Sequence, residues 1–265
     1  MQAAGVSIAA VICAAGSSSR MGGVKKEFLP FPSLSAKKPQ PENQLSTGGA
    51  SVLGAAVSAF ASCPEIRFIV IVVTPGEENE AKACLASEHR PLAASASDGR
   101  ILFVSGGPTR RASVHNALSL LESRQPSHVL IHDGARPWIT RKLIERTIEA
   151  AIRYGAVIPA LPLIETPKEL ASAKLFSSEP GRKTPEEAAF IGRHLRREAL
   201  CTAQTPQGFK FPEILRAHEK ARDREESEGF EYTDDAEVWG EFIGQVVVIP
   251  GDPANKKITY PEDLI

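Results

Sequence analysis

Short apolar runs alternating with helical patterns fill the first 160 residues, and this alternation restricts the possible folds more than any other feature of the chain. Residues 7–13 (SIAAVIC) and 67–73 (RFIVIVV) are almost continuously apolar, as strands covered on both faces must be. Residues 101–104, 128–131 and 156–160 are shorter runs of the same kind. Helical patterns occupy 51–61, 77–86, 110–122 and 140–154; the last opens on Thr140, a residue type that caps helix N-termini well. The resulting βαβαβαβαβ order predicts an α/β fold, a mostly parallel twisted sheet with helices on both faces.

Two stretches interrupt the rhythm. Residues 30–50 (PFPSLSAKKPQPENQLSTGGA) are rich in Pro, Ser and Gly and predict an inserted surface loop. Residues 161–197 hold several Pro, Lys and Arg residues and predict an arm protruding from a single domain spanning 1–265. Beyond it, helices near 212–222 and 234–242 and a strand at 245–249 are expected. A hydrophobic fraction of 42% supplies a core without a disulfide or metal staple.

The 31 basic and 32 acidic residues nearly cancel, which argues against a nucleic-acid partner but not against an anionic small molecule held by a few placed cations. Cys13, Cys63, Cys84 and Cys201 form no CxxC pair, so free thiols and a cytoplasmic location are expected rather than a zinc site. No apolar run reaches the roughly 18 residues of a membrane span. The opening residues resemble a secretory signal only superficially, because no Lys or Arg precedes Arg20. They read as a buried strand, and the lack of an Arg- and Ser-rich leader also disfavours a plastid precursor.

The most informative segment follows the first strand: Ala14-Ala15-Gly16-Ser17-Ser18-Ser19-Arg20-Met21-Gly22-Gly23, then Val24-Lys25-Lys26-Glu27-Phe28. A small-residue loop at the carboxyl end of a first strand is where open α/β sheets bind nucleotides, and its consecutive N–H groups can cradle phosphate oxygens. Neither G-x-x-x-x-G-K-[ST] nor G-x-G-x-x-G is present, so a P-loop kinase and a dinucleotide oxidoreductase both lack their central motif. Arg20 and Lys26 on one loop suit a triphosphate; a solvated turn with surface charges is the alternative.

The later segments resemble one family. Ala14-Ala15-Gly16 with Arg20-Met21 and Lys26-Glu27-Phe28-Leu29, Gly106-Gly107-Pro108-Thr109-Arg110-Arg111-Ala112-Ser113-Val114, and His132-Asp133-Gly134-Ala135-Arg136-Pro137 are similar to motifs of the 2-C-methyl-D-erythritol 4-phosphate cytidylyltransferases. So are Gln204-Thr205-Pro206-Gln207-Gly208-Phe209, Thr233-Asp234-Asp235-Ala236 and Asn255-Lys256-Lys257-Ile258-Thr259-Tyr260-Pro261-Glu262-Asp263-Leu264. The motifs stand in order from residue 14 to 264.

The resemblance implies a Rossmann-like nucleotidyltransferase fold with a β-arm, and a reaction joining CTP to 2-C-methyl-D-erythritol 4-phosphate with Mg²⁺ and release of pyrophosphate. It implies that Arg20 and Lys26 contact the CTP phosphates, that Ala14, Ala15 and Gly16 give backbone contacts, and that Gly107, Arg110 and Ser113 hold the cytosine and ribose. Asp133 is matched to the metal and the polyol, Lys257 to the reacting phosphates and Thr233 to a polyol or phosphate contact. Thr166 and Arg197 on the arm are matched to residues that reach the substrate phosphate in a neighbouring subunit's site, which implies a homodimer. Blander readings are a solvated Arg110, a turn-capping Asp133 and a solvated Lys257. A ribitol 5-phosphate cytidylyltransferase and a non-catalytic nucleotide-binding protein are the competing functions.

Some features depart from the family. The 30–50 loop is long, residues 177–189 lengthen the arm, and Ala254 stands where many members carry an acid. Lys25 is an extra cation of open role, and the chain ends at Ile265, where the family's final helix would begin; its C-terminal packing is expected to differ.

Overall fold

The computed structural model describes residues 6–31, 51–88, 99–171 and 190–264. Most of the expected 30–50 insertion and all of 177–189 lie outside the described residues. The strands are β1 (Ile8–Ala14), β2 (Ile66–Val73), β3 (Ile101–Ser105), β4 (His128–Asp133), β5 (Ala156–Pro162), β6 (Lys168–Leu170), β7 (Ile191–His194), β8 (Cys201–Ala203), β9 (Gln207–Lys210) and β10 (Val247–Pro250). The helices are α1 (Val52–Ala61), α2 (Glu78–Glu88), α3 (Arg110–Glu122), α4 (Arg141–Tyr154), α5 (Phe211–Glu228) and α6 (Asp235–Phe242).

The main sheet runs in the order β10–β5–β9–β4–β1–β2–β3, with β8 beside β5. β1 is parallel to both β2 and β4, β2 to β3, and β10 to β5. β9 is antiparallel to β4 and β5, and β8 is antiparallel to β5. The mostly parallel α/β sheet therefore matches the expectation, with two antiparallel insertions that the apolar pattern does not announce.

Strand period two explains the two-sided core. Ile8, Ala10 and Ile12 of β1 pack with Leu53, Val57, Phe60, Leu85, Ile144 and Ile148 on one face. Ala9 and Val11 pack with Val114, Leu118, Leu121, Ile214 and Trp239 on the other. Thus α1, α2 and α4 cover one side, and α3, α5 and α6 the other. Each fully buried Leu or Ile side chain contributes about 1.5–3 kcal/mol of apolar transfer.

Local chemistry sets the element ends. The hydroxyls of Ser51, Thr109 and Thr140 and the carboxylate of Asp234 each accept an amide hydrogen bond at the start of α1, α3, α4 and α6, satisfying donors that a helix leaves free. Gly155 closes α4 at φ 86°, a conformation that favours glycine.

The sheet order reverses at β1: the chain builds β2 and β3 on one side and β4 on the other. Such a switch point opens a crevice at the carboxyl ends of β1 and β4. Away from it, β6 and β7 form a separate two-stranded antiparallel sheet within the expected 161–197 arm. β5 runs to Pro162, so the expected arm's first residues belong to the main sheet.

Candidate nucleotide site

The crevice at the switch point holds a cavity of about 400 Å³. Its wall includes Ala15, Gly16, Arg20, Lys26, Gly107, Arg110, Ser113, Asp133 and Lys257, which the sequence distributes over four motifs.

The first wall is the loop after β1. Ser18 sits in left-handed backbone at φ 49°, and the Met21 and Gly23 amides close the turn onto its carbonyl at 2.8 and 3.2 Å. Its hydroxyl donates to the nearly buried Glu27 carboxylate at 3.4 Å. Burial raises the Glu27 pKa against the pull of Lys26, whose ammonium lies 3.8 Å away. Glu27 therefore ties the loop to the segment that carries Lys26. Arg20 is exposed and its guanidinium lies 5.9 Å from the centre of the Tyr260 ring.

The second wall is the N-terminus of α3. The Gly107 amide donates to Ser113 Oγ at 3.0 Å, and that hydroxyl donates to the Thr109 carbonyl at 2.9 Å. A Cβ at Gly106 would stand 2.5 Å from Ala15 Cβ, so only glycine lets this turn approach the first loop. Arg110 is held from behind: its Nη2 lies 2.8 Å from Asp235 Oδ2, and His218 Nε2 lies 3.3 Å from Asp235 Oδ1. Burial disfavours the Asp235 charge, but Arg110 and His218 prevail and bring its pKa down to about 2. Burial likewise opposes the Arg110 charge and is outweighed by Asp235.

The third wall is the end of β4. Burial would raise the Asp133 pKa, yet the charges of Lys257, Arg110 and Arg136 hold its carboxyl well below the usual range. Lys257 Nζ lies 3.0 Å and Arg136 Nε 3.3 Å from Asp133 Oδ2. The Asp133 amide donates to Thr205 Oγ1 at 3.1 Å. His132 is fully buried; its Nε2 lies 3.2 Å from the Arg136 carbonyl and its Nδ1 3.0 Å from Thr205 Oγ1. A carbonyl only accepts, so Nε2 carries the proton and Nδ1 accepts from the Thr205 hydroxyl. Burial lowers the His132 pKa to about 4, which keeps the ring neutral.

Lys257 reaches the cavity because its loop is latched. Asn255 Nδ2 donates to the Thr205 carbonyl at 2.8 Å, and the Asn255 carbonyl accepts from Arg136 Nη1 at 2.9 Å. Gln204 Nε2 donates to the Asp252 carbonyl at 2.9 Å while its Oε1 accepts the Asp252 amide at 3.0 Å. The Ala254 amide donates to Asp252 Oδ1 at 2.9 Å.

Four other expected residues lie off the cavity wall. Ala14 is the fully buried last residue of β1. Thr233 is exposed, and its amide and hydroxyl both donate to Glu237 Oε2 at 2.8 Å. Thr166 and Arg197 are exposed on the arm region, where Arg197 Nη1 donates to the Ile164 carbonyl at 2.8 Å. Asp235, Glu27, Thr205 and Asn255 support the wall without having been singled out. Their motifs contained them, but only the fold shows which neighbour each one holds.

No group of three or more His, Cys, Asp or Glu side chains among the described residues could hold a metal alone. Magnesium usually takes one or two carboxylates and completes its shell with phosphate and water. Asp133 fits as a single protein ligand to a metal that a triphosphate brings. Among the described residues no helix is long and apolar enough to cross a membrane.

A family model described as 2-C-methyl-D-erythritol 4-phosphate cytidylyltransferase matches residues 8–265. A protein of that name from Acidobacterium capsulatum is 34% identical, over 85% of this chain and 84% of its own. A bifunctional enzyme IspD/IspF from Bradyrhizobium sp. (strain ORS 278) is 37% identical over 85% of this chain, but only 50% of the relative is covered. The chain thus spans about half the length of the bifunctional relatives it matches. A 4-diphosphocytidyl-2C-methyl-D-erythritol synthase from Anaerococcus prevotii aligns at TM-score 0.70 and 27% identity, covering 98% of this chain and 93% of that one. The 2-C-methyl-D-erythritol 4-phosphate cytidylyltransferase of Thermus thermophilus aligns at TM-score 0.65 and 29% identity, covering 98% and 96%. With four of its motifs gathered on one cavity and a family match running from β1 to the last residue, the chain belongs to the 2-C-methyl-D-erythritol 4-phosphate cytidylyltransferase family.

Proposed function

We propose that this chain transfers CMP from CTP to 2-C-methyl-D-erythritol 4-phosphate, giving 4-diphosphocytidyl-2-C-methyl-D-erythritol and pyrophosphate. The observation that carries this reading is the convergence of Arg20, Lys26, Arg110 and Lys257 on one cavity at the switch point. An oxygen of the polyol phosphate bonds to the α-phosphorus of CTP as the bond to the β-phosphate oxygen breaks. The electron pair leaves with pyrophosphate. The attacking oxygen is already ionised at neutral pH, so no general base is needed, and catalysis rests on positioning and charge. The neutral, doubly hydrogen-bonded His132 acts as a scaffold.

In this reading Arg20 and Lys26 stabilise charge at the α-phosphorus and the departing pyrophosphate. Ala14, Ala15 and Gly16 offer backbone groups, and Gly107, Arg110 and Ser113 hold the nucleoside. Asp133 and Lys257 meet the polyol phosphate, with Thr233 two residues from the cavity-lining Glu231. Mg²⁺ bound to the triphosphate and Asp133 would neutralise phosphate charge.

Thr166 and Arg197 serve a neighbour's site in a homodimer. Support comes from the arm's exposed Ile164 and Phe190, each 81% accessible, which a partner would cover. A cytoplasmic location is supported by Cys13, Cys63 and Cys201, none of which forms a disulfide.

Pyrophosphate release from CTP and Mg²⁺ tests the reading, with methylerythritol 4-phosphate and ribitol 5-phosphate offered in parallel. Preferential release with the former is expected. Release only with ribitol 5-phosphate overturns the polyol assignment; silence with both, in folded protein that binds CTP, overturns catalysis.

A further inference from the structure

The proposed function leaves Lys25 unassigned. Its ammonium lies behind the small-residue loop: Lys25 is not part of the cavity wall, and Nζ donates to the Gly16 carbonyl at 2.7 Å and to the Thr74 hydroxyl at 2.5 Å. It also pairs with Glu77 Oε2 at 3.1 Å. An ammonium carries three protons; two of them go to the Gly16 carbonyl and the Thr74 hydroxyl, and Glu77 adds an ion pair. The Thr74 hydroxyl in turn donates to the Ala15 carbonyl at 3.5 Å.

The carbonyls of Ala15 and Gly16 are therefore both gripped from the side of β2 and α2. In a planar trans peptide the carbonyl and the next residue's N–H point in opposite directions. The amides of Gly16 and Ser17 consequently turn away from the clamp, toward the cavity that both residues line. Neither amide donates to a protein acceptor among the described residues. The loop needs such a restraint, because three consecutive serines follow Gly16 and Ser18 occupies left-handed backbone, which a non-glycine residue adopts only when its surroundings hold it there.

We propose that Lys25 is a positioning residue that clamps the loop from behind and presents the Gly16 and Ser17 amides to the nucleotide's phosphate oxygens. This rests on the reading of the cavity as the CTP site. It also separates two adjacent lysines: Lys26 faces the ligand, and Lys25 holds the backbone that does the same.

Two variants test it. Lys25→Met removes the clamp. The double change Thr74→Val with Glu77→Gln removes the Thr74 bridge to the Ala15 carbonyl and the charge that anchors Lys25, but leaves the ammonium in place. Both are expected to raise KM for CTP about tenfold, in line with losing a charge-assisted hydrogen bond, while kcat at saturating CTP stays within about twofold. Lys25→Arg should restore part of the loss. In the ligand-free protein, NMR hydrogen exchange of the Met21 and Gly23 amides, bonded to the Ser18 carbonyl, should speed up in both variants. If the double variant binds CTP as well as the parent or better, Lys25 is a phosphate ligand and the proposal is overturned. Unchanged exchange in both variants also overturns it. If the parent itself fails to bind CTP, the nucleotide reading falls, and the exchange comparison still decides whether the clamp exists.

Discussion

At the residue scale the site depends on side chains whose charges are set by burial and neighbours. His132 is buried neutral, with a pKa of about 4 against roughly 6.5 unfolded. The unfolded chain thus binds more protons between these values, and stability falls as pH drops through that window. The loss attributable to His132 is up to about 3 kcal/mol. Urea titrations from pH 7 to 4 should show this slope, and His132→Asn should flatten it; an equal slope in the variant would rule His132 out. Asp235 acts lower, its contribution lost as pH falls from about 4 towards 2. Asp235→Asn leaves Arg110 facing a neutral partner and should cost roughly 3–5 kcal/mol. If Asp235 serves CTP through Arg110 alone, Arg110→Ala and the Arg110→Ala/Asp235→Asn double variant should share one KM for CTP. By contrast, Lys26→Ala should lower kcat by about 10²-fold or more while moving the melting temperature by no more than about 4 °C.

At the scale of elements, the helices read clearly from sequence because their caps are local. Thr140 and Thr109 cap α4 and α3 by the same geometry, yet only α3 begins at the cavity. Thr140→Ala and Thr109→Ala should each cost about 1 kcal/mol, but only the second should raise KM for CTP, by loosening Gly107 and Ser113. Equal KM values would detach the cap from the site. β9 illustrates what stayed hidden. Gln207-Gly208-Phe209-Lys210 has no apolar run, and its place between β4 and β5 depends on contacts made across the fold. A Cβ at Gly208 would stand 3.0 Å from Ala151 Cβ, and Gln207 is buried because Asp234 and the Ala236 amide satisfy its side chain. α5 likewise extends to Glu228, six residues past the expected end at 222, because its polar last turns pack through few apolar side chains.

At the scale of the whole molecule, the proposed shared site makes a sharp prediction. Lys26→Ala and Arg197→Ala chains should each be nearly inactive alone. Coexpressed in equal amounts, half the dimers are mixed and each mixed dimer holds one intact site, so about a quarter of the parent activity should return. No recovery would place Arg197 in its own chain's site, and an Arg197→Ala chain that is active alone would place it outside any site. The amino-acid sequence alone determined the α/β class, the alternation of strands and helices through residue 160 and the identity of the cations, because hydrophobic period, caps and motif spacing are properties of neighbouring residues. The tertiary structure decided which cation faces the cavity and which is spent on the backbone. It also decided that Arg110 is held by Asp235 and Lys257 by a latch built from Gln204 and Asn255. Those choices join residues up to 125 positions apart, and only packing the sheet brings such partners within hydrogen-bond reach.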